Sequence, residues 1–417
     1  MSAGISRRRL LGWTGAGAAV AGVGAVSGYA LGRPDTEVAS AGQDIVDFRG
    51  THQAGIVTPS QNELYFTALD LTSTGKAGVQ RMLSQWTVAA ERMTRDQETA
   101  ENGALPVNRE AAPADTGEAL DLPPSSLTVT IGFGSTFFEK LGITDRRPDG
   151  LADLPGFAGD RLDPARSGGD ICIQACANDP QVAVHAVRNL VRTGFGTTAV
   201  RWAQLGYGRT SSTSVQQPTA RNLFGFKDGT NNLKAEAPDL LDEHVWVQGG
   251  DGPDWLTGGT YLVARRIRMH IETWDRAPLN EQELVVGRTK GTGSPLGATG
   301  EFEPANYRSI DANGTPVIPL NSHIRLASAE SLNGIKILRR GFNFVDGSDD
   351  RGHLNAGLFF VCFVRNPHTQ FVPMQRELAA KDAMMDYIQH TGSAMFACPP
   401  GLREGEYWGQ RLLEDTV

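Results

Sequence analysis

Thr128-Val129-Thr130-Ile131-Gly132-Phe133 alternates polar and apolar positions with a period of two and predicts a half-buried strand. Leu64–Leu71 and Asp170–Cys176 read as two further strands. Val79, Met82, Leu83, Trp86, Ala90 and Met93 recur at helical spacing, so 77–94 is expected as an amphipathic helix. Asp179 followed by Pro180 starts another helix, because the Asp side chain can accept from free N–H groups and Pro lacks the one that would be orphaned. Gly194 is its stop. The second half repeats the alternation. Val263, Ile267, Met269 and Ile271 fall on one face, with Arg266, Arg268 and His270 on the other. Gly357–Val364 is a continuous apolar run, as in a strand covered on both faces. Phe371–Gln389 is expected to be helical. Residues 42–62 and 95–125 mix Pro, Gly and charge without a period and predict loops. Strands and helices in two similar halves point to an α+β duplication, divided near 232–250 into 42–235 and 236–417.

Composition narrows the class. At 417 residues the chain is long for one ordinary core and suits two domains of middle size. A hydrophobic share of 40% with 21% charged residues excludes a disordered or collagen-like chain, and 4 Cys exclude a disulfide-dense one. The net charge of −8 argues against nucleic acid as a partner.

The N-terminus belongs to an address. Ser6-Arg7-Arg8-Arg9 precedes an uncharged run, Leu10–Leu31, which is also about long enough for a permanent membrane anchor although its six glycines disfavour one, and Ala39-Ser40-Ala41 offers a small-residue cleavage site. Residues 1–41 therefore resemble a twin-arginine export signal, which implies the twin-arginine machinery as a partner and an extracellular, periplasmic or cell-envelope location. That route carries folded cargo, often with a cofactor inserted.

No Cys-x-x-Cys-His, paired Cys-x-x-Cys, Walker loop or Gly-x-Ser-x-Gly elbow is present. Cys172 and Cys176, four apart in a predicted strand, would be about 13 Å from each other, too far to bridge. They read as small core residues, as does Cys362, and a pairing of Cys398 is left open.

Four segments place polar residues in apolar or glycine-rich settings. They are Gly225-Phe226-Lys227-Asp228-Gly229, Val286-Gly287-Arg288-Thr289-Lys290, Asn321-Ser322-His323-Ile324-Arg325 and Ile337-Leu338-Arg339-Arg340-Gly341-Phe342-Asn343-Phe344. In this order and spacing they resemble the dye-decolorizing peroxidases. So do Gln53-Ala54-Gly55-Ile56, His185-Ala186-Val187-Arg188-Asn189-Leu190 and His390-Thr391-Gly392-Ser393-Ala394 with Pro399-Pro400-Gly401. With the export signal, the chain looks like the secreted branch of that family, which includes proteins of iron-uptake operons.

The resemblance implies two ferredoxin-like halves, each an antiparallel sheet with flanking helices. It also implies one non-covalent haem b, bound in the C-terminal half, and a reaction that reduces hydrogen peroxide and oxidises organic donors such as dyes and phenols through a ferryl intermediate. An alternative within the same resemblance is haem handling, by porphyrinogen oxidation or iron release.

His323 matches the proximal iron ligand, with Asn321 or Ser322 as a cap for the short helix that presents it. Asp382, with Asp386 behind it, is the expected acceptor for the other ring nitrogen. Asp228 matches the distal carboxylate that moves peroxide's proton, so activity should favour acidic pH, and a rate peaking above about pH 8 would count against it as sole base. Arg339 matches the distal arginine that stabilises negative charge as the O–O bond breaks, and Arg340 should point the opposite way. Asn343 is a weaker candidate assistant. Arg288 suits a haem propionate. Leu358 and Phe360 share a strand face and should wall the distal pocket, with Phe359 turned away. Trp202, Tyr207, Trp246, Trp274, Tyr387 and Trp408 are electron-relay candidates by residue type, although ordinary packing explains each as well. The natural donor and the oligomeric state are not encoded in any readable motif.

Overall fold

The computed structural model describes residues 45–414, so the expected export signal at 1–41 lies outside it. Nine strands are formed: β1 (Glu63–Leu71), β2 (Thr128–Phe133), β3 (Ile171–Ala177), β4 (Thr198–Arg209), β5 (Thr260–Met269), β6 (Leu338–Arg339), β7 (Phe342–Ser348), β8 (Leu354–Val364) and β9 (Ile388–Cys398). They make one sheet in the order β5-β9-β2-β3-β1-β4-β7-β8-β6, and β5 also pairs with β8. Eight strands therefore close on themselves, which removes the unpaired edges an open sheet would expose.

The duplication is visible in the strand order. The first half runs β2-β3-β1-β4 and the second β7-β8-β5-β9, each placing its first strand between its third and fourth. This is the expected pair of ferredoxin-like sheets. They join at two short seams, where Phe133 meets Ala397 and where β4 meets β7 through Tyr207 and Arg209. Residues 210–259 connect the halves, and the expected boundary at 235/236 falls inside that connection. The described residues, 45–414, form one compact unit.

The helices that bear on the site are α1 (Lys76–Met93), α2 (Pro180–Thr193), α3 (Leu279–Val286), α4 (His323–Leu326) and α5 (Phe371–Lys381). All six apolar positions predicted for α1 are buried. Asp179 caps α2 by accepting from the N–H groups of Gln181 at 2.7 Å and Val182 at 3.3 Å. In the first half, α1 and α2 fill the two crossovers between strands. In the second half α5 fills one, while the crossover from β5 to β6 is a long stretch of loops with α3 and α4. That departure from the repeat makes room for the site. Among the described residues no helix is long and apolar enough to cross a membrane.

Several expectations need correction. β2 is buried on both faces, because the segment 53–61 covers its polar side: Gln61 Nε2 donates to Thr128 Oγ1 at 3.1 Å and Thr130 Oγ1 to the Ala54 carbonyl at 2.7 Å. The helix expected over 371–389 stops at Lys381. Asp382 turns its carboxylate onto the N–H of Met384, a local bond that competes with helix, and the chain then enters β9 to pair with β5. Ile271 opens a short helix instead of extending β5. The four cysteines are free and buried. Cys172 and Cys398 sit either side of Gly132, where an added Cβ would lie 3.0 and 2.9 Å from their sulfurs. The absent Cβ lets the two thiols hydrogen-bond to each other, and burial raises the pKa of Cys172.

The two halves also share a buried polar cluster. Asp160, on a loop of the first half, pairs with Arg265 of β5, whose Nη1 donates to Ser393 Oγ at 3.1 Å. His390 of β9 lies beside them, its Nδ1 3.8 Å from Asp160. Burial, with Arg265 adding to it, pushes the His390 pKa from 6.5 down to about 3. The ring stays neutral in the fold while the unfolded chain takes up a proton below pH 6.5. Between pH 6.5 and about 3 the unfolded state thus binds more protons, and stability falls as pH falls, by up to about 1.4 kcal/mol per pH unit from this group. His390→Gln should flatten this slope. Urea unfolding at stepped pH would check it, and equal slopes in the two proteins would refute the assignment.

Candidate active site

The site is built on the register of β8. Phe342 and Asn343 of β7 pair with Phe359 and Leu358, and Leu338 and Arg339 of β6 pair with Phe363 and Cys362. The same register runs through both, and the Arg340 N–H bridges the interruption to the Val361 carbonyl at 2.8 Å. β6 and β7 are thus one strand broken at Arg340-Gly341. Alternation sends the two arginines apart, as expected. Arg340 is fully buried on the side of the N-terminal segment, bonded to the Thr58 carbonyl at 2.5 Å and to Gln61. Arg339 faces a large cavity, where its Nη1 donates to Asp228 Oδ1 at 2.7 Å.

Asp228 sits in a turn between Gly225 and Gly229, whose φ values are +81° and +82°. A Cβ at Gly229 would come within 2.8 Å of the Ser211 backbone, so only glycine lets the turn pack there. The second carboxylate oxygen of Asp228 accepts a long bond, 3.3 Å, from Asn222 Nδ2.

His323 opens α4 on another wall of the same cavity. Its Nδ1 bonds Asp382 Oδ2 at 2.6 Å, and the other oxygen of Asp382 accepts from the Met384 N–H at 2.9 Å. Burial pulls the proton affinity of the ring down, but the Asp382 charge and hydrogen bond outweigh it and the net direction is up. Nε2 makes no hydrogen bond among the described residues. Neither expected cap acts as one: Ser322 Oγ donates back to the Pro319 carbonyl at 2.8 Å, and the Asn321 carbonyl accepts from Ala383 at 3.0 Å. Asp386 is exposed and takes no part.

Leu358 and Phe360 line the cavity, while Phe359 turns away onto Phe66, with ring centroids 5.2 Å apart. Arg288 follows Gly287, which ends α3 at φ +88°. Its Nη1 donates to the carbonyls of Gly293 at 2.7 Å and Glu301 at 3.0 Å, and it has no carboxylate partner among the described residues. The cavity has a volume of about 220 Å³ and opens to solvent. All seven expected site residues (Asp228, Arg288, His323, Arg339, Leu358, Phe360 and Asp382) line it.

Comparison with known proteins agrees with this geometry. The model for the Dyp-type peroxidase N-terminal domain matches residues 53–208, and that for the C-terminal domain matches 219–403. The chain belongs to the DyP-type peroxidase family. It is 38% identical to a dye-decolorizing peroxidase of Thermobifida fusca, over 99% of this chain and 98% of that one. It is 35% identical to a deferrochelatase of Escherichia coli, over 98% and 97%. The crystal structure of a DyP-type peroxidase from Streptomyces coelicolor superposes with a TM-score of 0.83 at 38% identity, covering 91% of this chain and all of that one. Ferric DtpA from Streptomyces lividans superposes equally well. The chain is accordingly a haem peroxidase.

The residues present fit the family's haem. An imidazole with one nitrogen anchored on a carboxylate keeps the other for iron, and a cation without a carboxylate partner suits a propionate. Asn343, the weaker candidate, donates its amide to the Gly208 carbonyl at 3.1 Å, at the seam of β4 and β7, and is not among the residues that line the cavity. Trp202, Trp246, Trp274, Tyr387 and Trp408 are buried in packing contacts, and Tyr207 alone of the six is 42% exposed. Tyr307, Asn222 and Asn232 escaped the sequence reading. Tyr307 lines the cavity and donates to the Ile324 carbonyl at 3.0 Å. The two asparagines flank Asp228 but have no pattern that separates them from turn residues.

His323→Ala should abolish the Soret band of the purified protein, while Asp382→Asn should keep haem but weaken the donation by the imidazole. Absorption spectra and the ferric/ferrous midpoint potential check both. An unchanged potential in Asp382→Asn would exclude the anchoring role.

Proposed function

We propose that His323 holds the haem iron through Nε2, with Asp382 making the imidazole more electron-donating, and that Arg288 pairs with a propionate. When bound, the haem supplies an iron that exchanges electrons with hydrogen peroxide and then with organic donors such as dyes and phenols. The polypeptide supplies the proton handling. Asp228 Oδ2, held only by the 3.3 Å bond from Asn222, is the atom free to take a proton from peroxide and to return it to the departing oxygen. Arg339 offers its guanidinium where negative charge grows as the O–O bond breaks. Leu358 and Phe360 keep bulk water from that space. The observation that carries the reading is that the His323–Asp382 pair and the Asp228–Arg339 pair face one cavity.

Asp228→Asn and Arg339→Leu should each lower kcat/KM for peroxide by about 10²–10⁴-fold while the Soret band persists. Stopped-flow mixing of the haem-loaded protein with peroxide measures this. A loaded wild-type protein inert toward peroxide, or an Asp228→Asn variant at full rate, would overturn the assignment.

Residues 1–41 are read as directing the folded protein out of the cytoplasm by the twin-arginine route. Replacing Arg7 and Arg8 with Lys should leave the precursor inside the cell. Fractionation of cells expressing both forms tests this, and undiminished export of the Lys form would refute it.

A further inference from the structure

Arg339 stands on a strand of two residues at the end of the sheet order, where β8 pairs with it on one side and no strand pairs with it on the other. Its peptide groups on the open side are nevertheless satisfied, both by one side chain. Asn232 Oδ1 accepts from the Arg339 N–H at 2.8 Å, and Asn232 Nδ2 donates to the Arg339 carbonyl at 2.8 Å. These are the two bonds a neighbouring strand would make to a residue it pairs with. Nδ2 also donates to the Ser212 carbonyl at 3.1 Å, and the Asn232 N–H to the Gly229 carbonyl at 3.1 Å. The amide is buried, so every bond is made away from water.

Asn232 lies four residues beyond Asp228, on the same connection. The carboxylate and the guanidinium are therefore linked twice: by their own ion pair, and by an amide that grips the backbone beneath the arginine. The two links behave differently during turnover. Once Asp228 has taken a proton, its charge is gone and the ion pair weakens, at the stage when Arg339 is needed to face developing negative charge. The amide clamp does not depend on that proton.

We propose that Asn232 is a positioning residue, which holds Arg339 in place when Asp228 is neutral; this rests on the role given to Arg339 above. The test uses the haem-loaded full chain with Asn232→Ala, Asn232→Asp, Arg339→Ala and the Asn232→Ala/Arg339→Ala double variant. Asn232→Asp keeps an acceptor for the Arg339 N–H but cannot donate to its carbonyl, so it reports on half the clamp and serves if the Ala variant fails to fold. Two quantities are read: kcat/KM for peroxide, and the affinity of the ferric protein for fluoride, an anion that a fixed guanidinium retains.

Asn232→Ala should lower kcat/KM for peroxide by about 10–100-fold, with a smaller fall in Asn232→Asp. Fluoride affinity should weaken toward that of Arg339→Ala, with the KM for the organic donor within about twofold of wild type. In the Arg339→Ala background the Asn232 change should cost almost nothing further. An equal loss in both backgrounds would mean that Asn232 acts on general structure, and would overturn the proposal. So would native fluoride affinity in a folded Asn232 variant. If Arg339→Ala itself retains full rate, the role of Arg339 is what fails; if only the Asn232 variants do, the failure is confined to the clamp.

Discussion

The register of β8 is the constraint on which the rest depends. On one flank it pairs with β5, which closes the sheet, and on the other it pairs with β7 and β6 in a single continuous register. That register turns Leu358 and Phe360 into the cavity and sends Arg339 and Arg340 to opposite sides. A one-residue slip of β8 would put Phe359 against the cavity in place of Leu358 and Phe360, and one of the β6–β7 strand would exchange Arg339 with Arg340. Closure makes such a slip costly, because β5 is itself fixed by β9 on its far side. The apolar interior between the strands, with Phe66, Phe342, Phe359 and Phe396 fully buried, penalises it again. A buried side chain of this size is worth about 1.5–3 kcal/mol, so moving several at once would cost as much as the whole stability of a typical domain.

Inside that frame the charges come in neighbouring pairs. Asp228 with Arg339, Asp382 with His323 and Asp160 with Arg265 each set a carboxylate against a cation or a cation-capable ring. Such pairs contribute little net stability, since desolvation offsets their attraction, but removing one partner strands the other at about 3–5 kcal/mol. Their value lies in geometry. Each joins segments far apart in sequence, and two of them aim a functional nitrogen or oxygen into one cavity. Arg340, like Arg288, has no carboxylate partner among the described residues: fully buried, it is held by carbonyls and by Gln61, and it anchors the N-terminal segment to the break between β6 and β7.

The second half departs from its repeat where chemistry was added. The β5–β6 crossover, occupied by α1 in the first half, opens into loops that carry Arg288, Tyr307 and His323. Loops tolerate such enlargement because closure entropy grows slowly with length. The cavity is thus walled by a rigid sheet face on one side and by short elements on the other. The sheet provides the fixed arginine and the apolar wall, and the crossover provides the imidazole of His323 that faces them across the cavity.

Much of this was legible in the chain. The period-two and helical patterns located β1, β2, β3, α1 and α2, and alternation alone separated Arg339 from Arg340 and Phe360 from Phe359, because side-chain direction along a strand is a local property. The seven residues that the motifs singled out all line one cavity. Local pattern could not show that residues 382–388 leave the helix, since β9 exists only because β5 and β2 are there to pair with it. Nor could it show that Asn232 serves Arg339 or that Asn343 does not. Hydrogen bonds between residues some hundred positions apart leave no period in the sequence. Residue identity and local conformation were set by the chain itself; which polar groups meet was decided by closure of the sheet, because only packing brings distant donors and acceptors within 3 Å of one another.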